Sequence, residues 1–376
     1  VTTVVAGLPA PNTLGRVRAR DLYCIPRSIS TGAVAVALIE AGHALPFSGN
    51  GSAYAAVELV IREGEDIARH AASVTAFNPW RQILKSELQE RLSTLIMAIS
   101  EPRKPFAEIP MDVPTIMGVV NVTPDSFSDG GNHASSDTAV AHAISLAEVG
   151  ATFLDVGGES TRPGANPVDP SIEQQRVIPV VRALAEKSFT VSIDTRNAST
   201  MAAALDAGAK IVNDVTALTG DPKAVAEVGR RSAPVVLMHM QGTPQTMQAA
   251  PKYSNVLTDV YDYLDLRISA CLGAGLKIHQ VCVDPGIGFG KTDSGNLDLI
   301  DSLGLLQGLG CPVMLGASRK SFIGRLSGEE NPSKRLAGSI AAAMAGVVGG
   351  VNILRVHDVE GTRQALAVWR ALARDR

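Results

Sequence analysis

From residue 115 onward, short apolar runs alternate with longer stretches that mix apolar and polar residues at helical spacing. The runs fall at 115–121, 152–157, 190–194, 211–215, 234–240, 281–285, 313–318 and 353–357. Their length and near-continuous apolar character predict strands buried on both faces. The intervening stretches predict helices at about 136–149, 171–187, 197–207, 222–231, 254–275, 295–308, 332–349 and 359–373. Ser135 or Ser136 can cap the first helix, and Gly150 and Gly208 sit just past helix ends. Eight β-α repeats in about 260 residues predict a (β/α)8 barrel. A doubly wound open sheet is the alternative. Polar residues punctuate the carboxyl ends of nearly all eight runs, which implies one shared mouth and favours the barrel.

Residues 1–110 read as a separate small α+β extension, leaving 111–376 as the barrel domain. A helix is predicted near 31–42, a strand over Tyr54–Arg62, and a clear helix over 80–99. In that helix Trp80, Leu84, Leu88, Leu92 and Ile96 recur at i+4 and form a stripe suited to packing on the main domain. A partner-binding helix is the other reading. Glu101–Pro114 carries four prolines and reads as a linker or extended edge segment. His43 and His70 are isolated, and the extension shows neither a catalytic constellation, a P-loop nor a metal-ligand cluster. It is expected to dock away from the barrel mouth rather than to form a second enzyme.

Composition narrows the class. A hydrophobic fraction of 45% with 19% charged residues is that of a globular protein. The net charge is −3 and basic residues do not cluster, which argues against nucleic-acid binding. Cys24, Cys271, Cys282 and Cys311 lack CxxC spacing and read as buried thiols of a reduced, cytoplasmic protein. No apolar run reaches the length of a membrane span, and no basic segment followed by an apolar core marks a signal peptide. The first residue is Val, so loss of a residue upstream is an expectation.

The chemistry sits at the strand ends. The first run closes on Asn121 and enters an Asp/Ser/Gly loop suited to an ion or phosphate, or to an ordinary junction. Asp194 and Asp284 end apolar strands, where a carboxylate needs a partner. Each alone could be a cap or salt bridge. With Asn213 and Lys320 they form a donor–acceptor set fit for a flat, nitrogen-rich heterocycle. Gly286-Ile-Gly-Phe-Gly290 opens no dinucleotide-binding unit and reads as a flexible lip with Phe289 as its aromatic contact. Arg355 and His357 alternate along one strand and so face one side. With Ser318 and the Asn121 loop they make an anion clamp; separately each fits a surface ion pair or a satisfied histidine. His239, between two methionines, reads as a packed histidine rather than a base.

The stretch Asn121-Val-Thr-Pro-Asp-Ser-Phe-Ser-Asp-Gly-Gly131 resembles the first signature of the dihydropteroate synthases. Leu154-Asp-Val-Gly-Gly-Glu-Ser-Thr-Arg-Pro-Gly-Ala165 resembles the second, and the later strand-end motifs follow in family order over 115–373. The resemblance implies condensation of 6-hydroxymethyl-7,8-dihydropterin diphosphate with 4-aminobenzoate in folate synthesis, with Mg²⁺ as cofactor, and a sulfonamide target. By position it implies that Asp194, Asn213, Met238, Asp284 and Lys320 hold the pterin. Asn121, Thr161, Arg355 and His357 would hold the diphosphate, with Asn121 also the metal ligand. Phe127, Arg162, Pro163, Phe289 and Ser321 would surround the aminobenzoate, with Asp129 reaching toward Arg162. Asp194, Lys320, Arg355 and His357 are the implied catalytic residues. Ile287 stands where some relatives have Phe. A homodimer and ordered binding, pterin diphosphate before aminobenzoate, are the accompanying expectations. A pterin-dependent methyltransferase would share the pterin set but not need the Thr-Arg-Pro-Gly loop or the Arg-x-His pair. A non-catalytic pterin-binding paralogue would be expected to have lost site residues.

Overall fold

A computed structural model describes residues 4–49, 51–64, 66–122, 132–160, 164–243 and 245–373. Residues up to 100 form a small α+β unit. Its strands are β1 (Val4–Ala6), β2 (Leu22–Thr31), β3 (Leu45–Phe47), β4 (Ser52–Glu63) and β5 (Asp66–Ser73). They lie in the order β1-β5-β4-β2, with β3 also paired to β4. The pattern of apolar residues revealed only β4. Pro26 interrupts β2, and a proline is tolerated because β2 lies at the end of the sheet order. β5 is half-exposed and carries Asp66, Arg69 and His70, which mask its alternation.

Helix α1 (Gly32–Glu40) follows β2, and α2 (Val74–Gln82) and α3 (Ser86–Ser100) follow the sheet. The single helix expected over 80–99 is therefore two. The chain turns at 83–85, where Ile83 is exposed and Leu84 is buried. The turn lets Phe77 pack beneath the sheet while Leu88, Leu92, Leu95 and Ile99 face inward from α3. The i+4 stripe survives the break because Leu84 still points to the core.

Eight parallel strands form the barrel: β6 (Thr115–Asn121), β7 (Phe153–Gly157), β8 (Val191–Asp194), β9 (Ile211–Asp214), β10 (Val235–Met238), β11 (Val281–Asp284), β12 (Met314–Leu315) and β13 (Ile353–Val356). They pair in the order β11-β10-β9-β8-β7-β6-β13-β12. The ring closes through a parallel bridge between Val283 and Val313 and the bond from the Val283 amide to the Pro312 carbonyl at 2.9 Å. Helices α4 (Asn132–Glu148), α5 (Pro170–Glu186), α6 (Ala198–Asp206), α7 (Ala224–Arg231), α8 (Val256–Gly273), α9 (Asp293–Asp301), α10 (Ser321–Ser327), α11 (Leu336–Val348) and α12 (Val359–Ala373) flank it. α4 starts at Asn132, upstream of the serines expected to cap it.

The two-residue alternation of the strands sorts the barrel into layers. Outward residues such as Leu154, Ile193, Val212, Leu237, Val283 and Leu354 join the large core beneath the helices. Inward residues at the lower ends are apolar: Met117, Phe153, Ile211, Val236, Cys282, Met314 and Ile353 form a core of their own. Two residues further up, the inward positions become Asp155, Asn213, Met238, Asp284 and Arg355. The barrel is thus greasy below and polar at its carboxyl-terminal mouth.

The stretch read as a linker seals the greasy end. Phe106 and Ile109 bridge to each other, and Phe106 and Met111 are buried within the lower core. Asn352 donates to the Met111 carbonyl at 3.1 Å and accepts from the Val313 amide at 3.0 Å. The α+β unit docks on the flank of this end, against α8 and 301–310. Arg103 donates to the Gln307 carbonyl and side-chain oxygen at 2.8 Å each, and Arg27 pairs with Asp301 at 2.8 Å. Tyr23 and Arg62 meet Asp262 on α8 at 2.9 and 2.7 Å.

This docking explains why the helix expected over 295–308 stops at Asp301 and continues as a 3-10 segment, Leu303–Leu309. A Cβ on Gly304 would lie 2.6 Å from Pro26, and one on Gly308 would lie 3.1 Å from Leu95. The two glycines let the extension approach. The helix expected over 332–349 starts at Leu336, after a separate 3-10 turn at Pro332–Lys334, and α10 was not foreseen.

Phe106→Ala is expected to lower stability by about 3–5 kcal/mol, the range for truncating a buried aromatic. Urea unfolding checks this; an unchanged midpoint would mean that the sealing segment lies outside the cooperative unit.

Candidate active site

The inward rung at the mouth crosses four adjacent strands. Asn121 is level with Gly157, Gly157 with Asp194, and Asp194 with Asn213. Gly157 packs beside Asp194, whose side chain lies 3.4–3.7 Å from where a Cβ would stand. Across the ring, Met238 is level with Asp284.

Arg355 rises from β13 into the centre. Its Nε donates to Asp155 at 2.7 Å and its Nη2 to Asp194 at 2.8 Å. Asp155 is fully buried and also accepts from the Asn213 amide at 2.9 Å. The expected assignment of Arg355 to an anion clamp alone is therefore incomplete. Two of its nitrogens are committed to carboxylates, one of them in the pterin set. Burial pushes the Asp194 carboxyl above the usual carboxylate range, with Arg355 opposing the shift and Asp155 adding to it. Arg355 itself is raised by these carboxylates despite its burial. Asp155 belongs to the second motif, which implies no role for it; its place two residues below Gly157, on the same face of β7, is the signal that it points into the barrel.

Asp284 is buried, and burial raises its carboxyl above the usual range while Lys320 pulls it back. Its Oδ1 accepts from the Gly286 amide at 2.6 Å. Lys320 donates to the Ile287 carbonyl, and its Nζ stands 4.6 Å from the centre of the Phe289 ring. Burial draws Lys320 down to about 8. Ser321, the next residue, begins α10 and is exposed. His357 Nδ1 and Ser318 Oγ are 3.2 Å apart, so the expected neighbours meet.

The Gly286–Gly290 loop is not the flexible lip expected of it. The Ile287 carbonyl takes Lys320, Gly288 takes Gln248 at 2.7 Å, and Gly290 takes Tyr253 at 2.7 Å. The Gly286 and Phe289 carbonyls take Lys291 at 2.9 and 3.0 Å. His239 is packed as expected, 4.9 Å from Tyr263 in edge contact, and burial and the Lys291 charge hold it down to about 3. On the other side of the mouth, the Glu159 carboxylate takes two bonds from Arg196 at 2.8 and 3.0 Å. Buried Glu173 accepts from Thr195, Asn197 and Thr200, tying α5 to the segment that follows Asp194.

Phe127, Asp129, Thr161, Arg162 and Pro163 lie outside the described residues. Among the described residues, no group of three or more His, Cys, Asp or Glu could hold a metal ion. A cleft of about 570 Å³ lies well away from the mouth, between the extension and α8, lined by Arg18, Arg20, Arg62, Arg91, Asp262 and Asp265. Its Arg62 is already paired with Asp21 and Asp262. The convergent donors and acceptors are at the mouth, and the chemistry belongs there.

Residues 117–357 match the model of the pterin binding enzyme family. A dihydropteroate synthase of Neisseria meningitidis serogroup B is 48% identical over 271 residues, spanning 70% of this chain and 95% of that protein. The Xanthomonas albilineans dihydropteroate synthase with 4-aminobenzoic acid aligns at TM-score 0.67 and 47% identity, covering 70% of this chain and 94% of that one. The same enzyme in complex with 7,8-dihydropteroate aligns at TM-score 0.64 and 44% identity, covering 70% and 95%. The matches span the barrel from its lower core to the Arg355–His357 strand, so the chain belongs to the pterin-binding enzymes and, among them, to the dihydropteroate synthases.

Proposed function

We propose that the barrel mouth condenses 6-hydroxymethyl-7,8-dihydropterin diphosphate with 4-aminobenzoate, releasing 7,8-dihydropteroate, diphosphate and a proton. The observation that carries this reading is the convergence of Asp194, Asn213 and Asp284 at strand ends with Lys320 just before α10, and with Arg355 bonded to Asp194. A pterin edge is flat and rich in N–H donors and ring acceptors. Two buried carboxylates, one amide and one ammonium complement it. Met238 supplies an apolar face beside Asp284.

Asn121 at the end of β6, with His357 and Ser318 beyond the neighbouring strands β13 and β12, suits the diphosphate. The half-buried Asn121 amide offers a hard oxygen, which fits Mg²⁺ because that ion takes few protein ligands and completes its shell with phosphate oxygens and water. Bound there, Mg²⁺ would offset the charge that builds on the leaving diphosphate. Thr161 would join this set, and Phe127, Arg162 and Pro163 would surround the aminobenzoate with Phe289 and Ser321.

As the C–O bond breaks, the pterin methylene becomes electron-poor. The Asp194 carboxylate, already short of water, stabilises that charge through the ring N–H groups. The aniline nitrogen attacks the methylene and loses its proton. The amine is a weak base and needs no strong base to be freed. The substrates are small molecules; a homodimer and a cytoplasmic location belong to the same proposal. No helix among the described residues is long and apolar enough to cross a membrane.

Asp194→Asn keeps the shape and removes the charge. It is expected to lower kcat by about 10²-fold or more, on the scale of losing one charge-stabilising group. Steady-state kinetics checks this, and normal turnover at saturating substrate would remove Asp194 from the chemistry.

Pterin affinity is expected to be bell-shaped in pH. The acid limb is protonation of the buried carboxylates as pH falls, Asp194 being raised by its burial, and the alkaline limb is loss of the Lys320 ammonium as pH rises through about 8. Titration of 6-hydroxymethylpterin across pH should show the alkaline limb in the native protein and not in Lys320→Ala.

Lys320→Ala is expected to weaken pterin binding and leave inorganic diphosphate binding intact. Arg355→Ala should weaken both, because it unpairs Asp155 and Asp194, and should cost about 3–5 kcal/mol of stability as a broken buried pair. Calorimetry with each ligand separates the two; an Arg355→Ala variant that loses diphosphate alone would show that the Asp194 bond is dispensable.

A further inference from the structure

We propose that Lys291 is a positioning residue for the pterin site: its buried ammonium staples the Gly286–Gly290 loop to the end of β10 and so holds Lys320 and Phe289 in place. The inference rests on the proposed role of Lys320 in pterin binding. Lys291 is 2% exposed, among the most buried of the large side chains. Its Nζ has four acceptors around it: His239 Nδ1 at 3.0 Å, the His239 carbonyl at 3.3 Å, the Gly286 carbonyl at 2.9 Å and the Phe289 carbonyl at 3.0 Å. An ammonium has three N–H donors, one fewer than these acceptors, so every donor finds a partner in the cage. For His239 Nδ1 to accept, the imidazole is neutral with its proton on Nε2.

The loop needs such a staple. Gly286, Gly288 and Gly290 all have positive φ, a conformation that costs chain entropy to hold. The approach of the two strand ends leaves no alternative residue: a Cβ on Gly286 would lie 1.9 Å from the His239 carbonyl, and one on Gly290 would lie 2.7 Å from that of Gln241. Two carbonyls, at Gly286 and His239, both point at the Lys291 Nζ, at 2.9 and 3.3 Å. One ammonium donating to both ties the loop to the end of β10. The loop fixed in this way presents the Ile287 carbonyl and the Phe289 ring, and these are the two groups that Lys320 contacts. Without Lys291, both would move, and Lys320 with them.

Lys291→Met keeps the length of the stem and removes the donors; Lys291→Gln keeps two donors on a shorter one. Binding of 6-hydroxymethylpterin and of inorganic diphosphate is measured by calorimetry for each, alongside thermal unfolding and circular dichroism. The expected result is a folded Lys291→Met protein whose pterin affinity falls about tenfold or more, the scale of a buried carbonyl losing its donor. Diphosphate affinity is unchanged, and Lys291→Gln falls in between. The double variant Lys291→Met/Lys320→Ala should bind pterin no worse than Lys320→Ala alone, because Lys291 acts through Lys320 and the loop. Unaltered pterin affinity in the folded variant, equal losses for both ligands, or additive losses in the double variant would overturn the proposal. So would failure of both Lys291 variants to fold, since Lys291 would then serve the fold and not the site. Native pterin affinity in Lys320→Ala would instead remove the pterin reading itself.

Discussion

The centre of the barrel holds a charge problem that one side chain resolves. Asp155 and Asp194 stand on adjacent strands, both turned inward, the first fully buried and the second nearly so. Arg355 bonds to both from β13, two strands from β7 and three from β8. Two carboxylates this close in a dry interior repel each other, and a cation between them turns repulsion into attraction. The same arginine joins β13 to β7 and β8 across the barrel, so it braces the mouth as well as charging it. Burial still raises Asp194. That carboxylate is consequently poised to gain from any positive charge that develops on a ligand above it.

Around this centre the molecule separates rigidity from chemistry. The lower end of the barrel is filled by apolar side chains and sealed by Phe106 and Met111. The α+β unit adds its core to the flank at 301–310, through glycines that admit Pro26 and Leu95. None of these contacts involves a residue of the mouth. The mouth is held by hydrogen bonds instead: Glu159 with Arg196 and Glu173 with three partners near Asp194, Lys291 and Tyr253 near Asp284. Polar support keeps donors and acceptors in fixed directions without filling the space that a ligand needs.

Much of this was readable along the chain. Eight apolar runs ending in polar residues imply a closed barrel with one mouth, because period-2 strands feeding period-3.6 helices have few other ways to bury both faces. The positions of Asp194, Asn213, Asp284, Lys320, Arg355 and His357 follow from the same reading, since a strand end is a local feature. The sheet of the extension was largely hidden. Its edge strand contains a proline, and β5 is half-exposed, so neither shows the alternation of a buried strand. The break at 83–85 was hidden for the opposite reason: Leu84 keeps the helical spacing while the backbone turns.

Pairing across the ring is another matter. Asp155, Arg355 and Asp194 are separated by up to 200 residues in sequence, and the bond between them exists only once the strands have closed. The Gly286–Gly290 loop has the composition of a mobile segment. It is fixed because five of its carbonyls find donors on Lys291, Lys320, Gln248 and Tyr253. The proline-bearing stretch before β6 looks like a tether and serves as the floor of the barrel. Periodicity and strand-end chemistry are properties of neighbouring residues and can be read in order. Charge compensation, loop anchoring and the sealing of a core depend on residues that meet only through the fold, and there the three-dimensional arrangement had the final word.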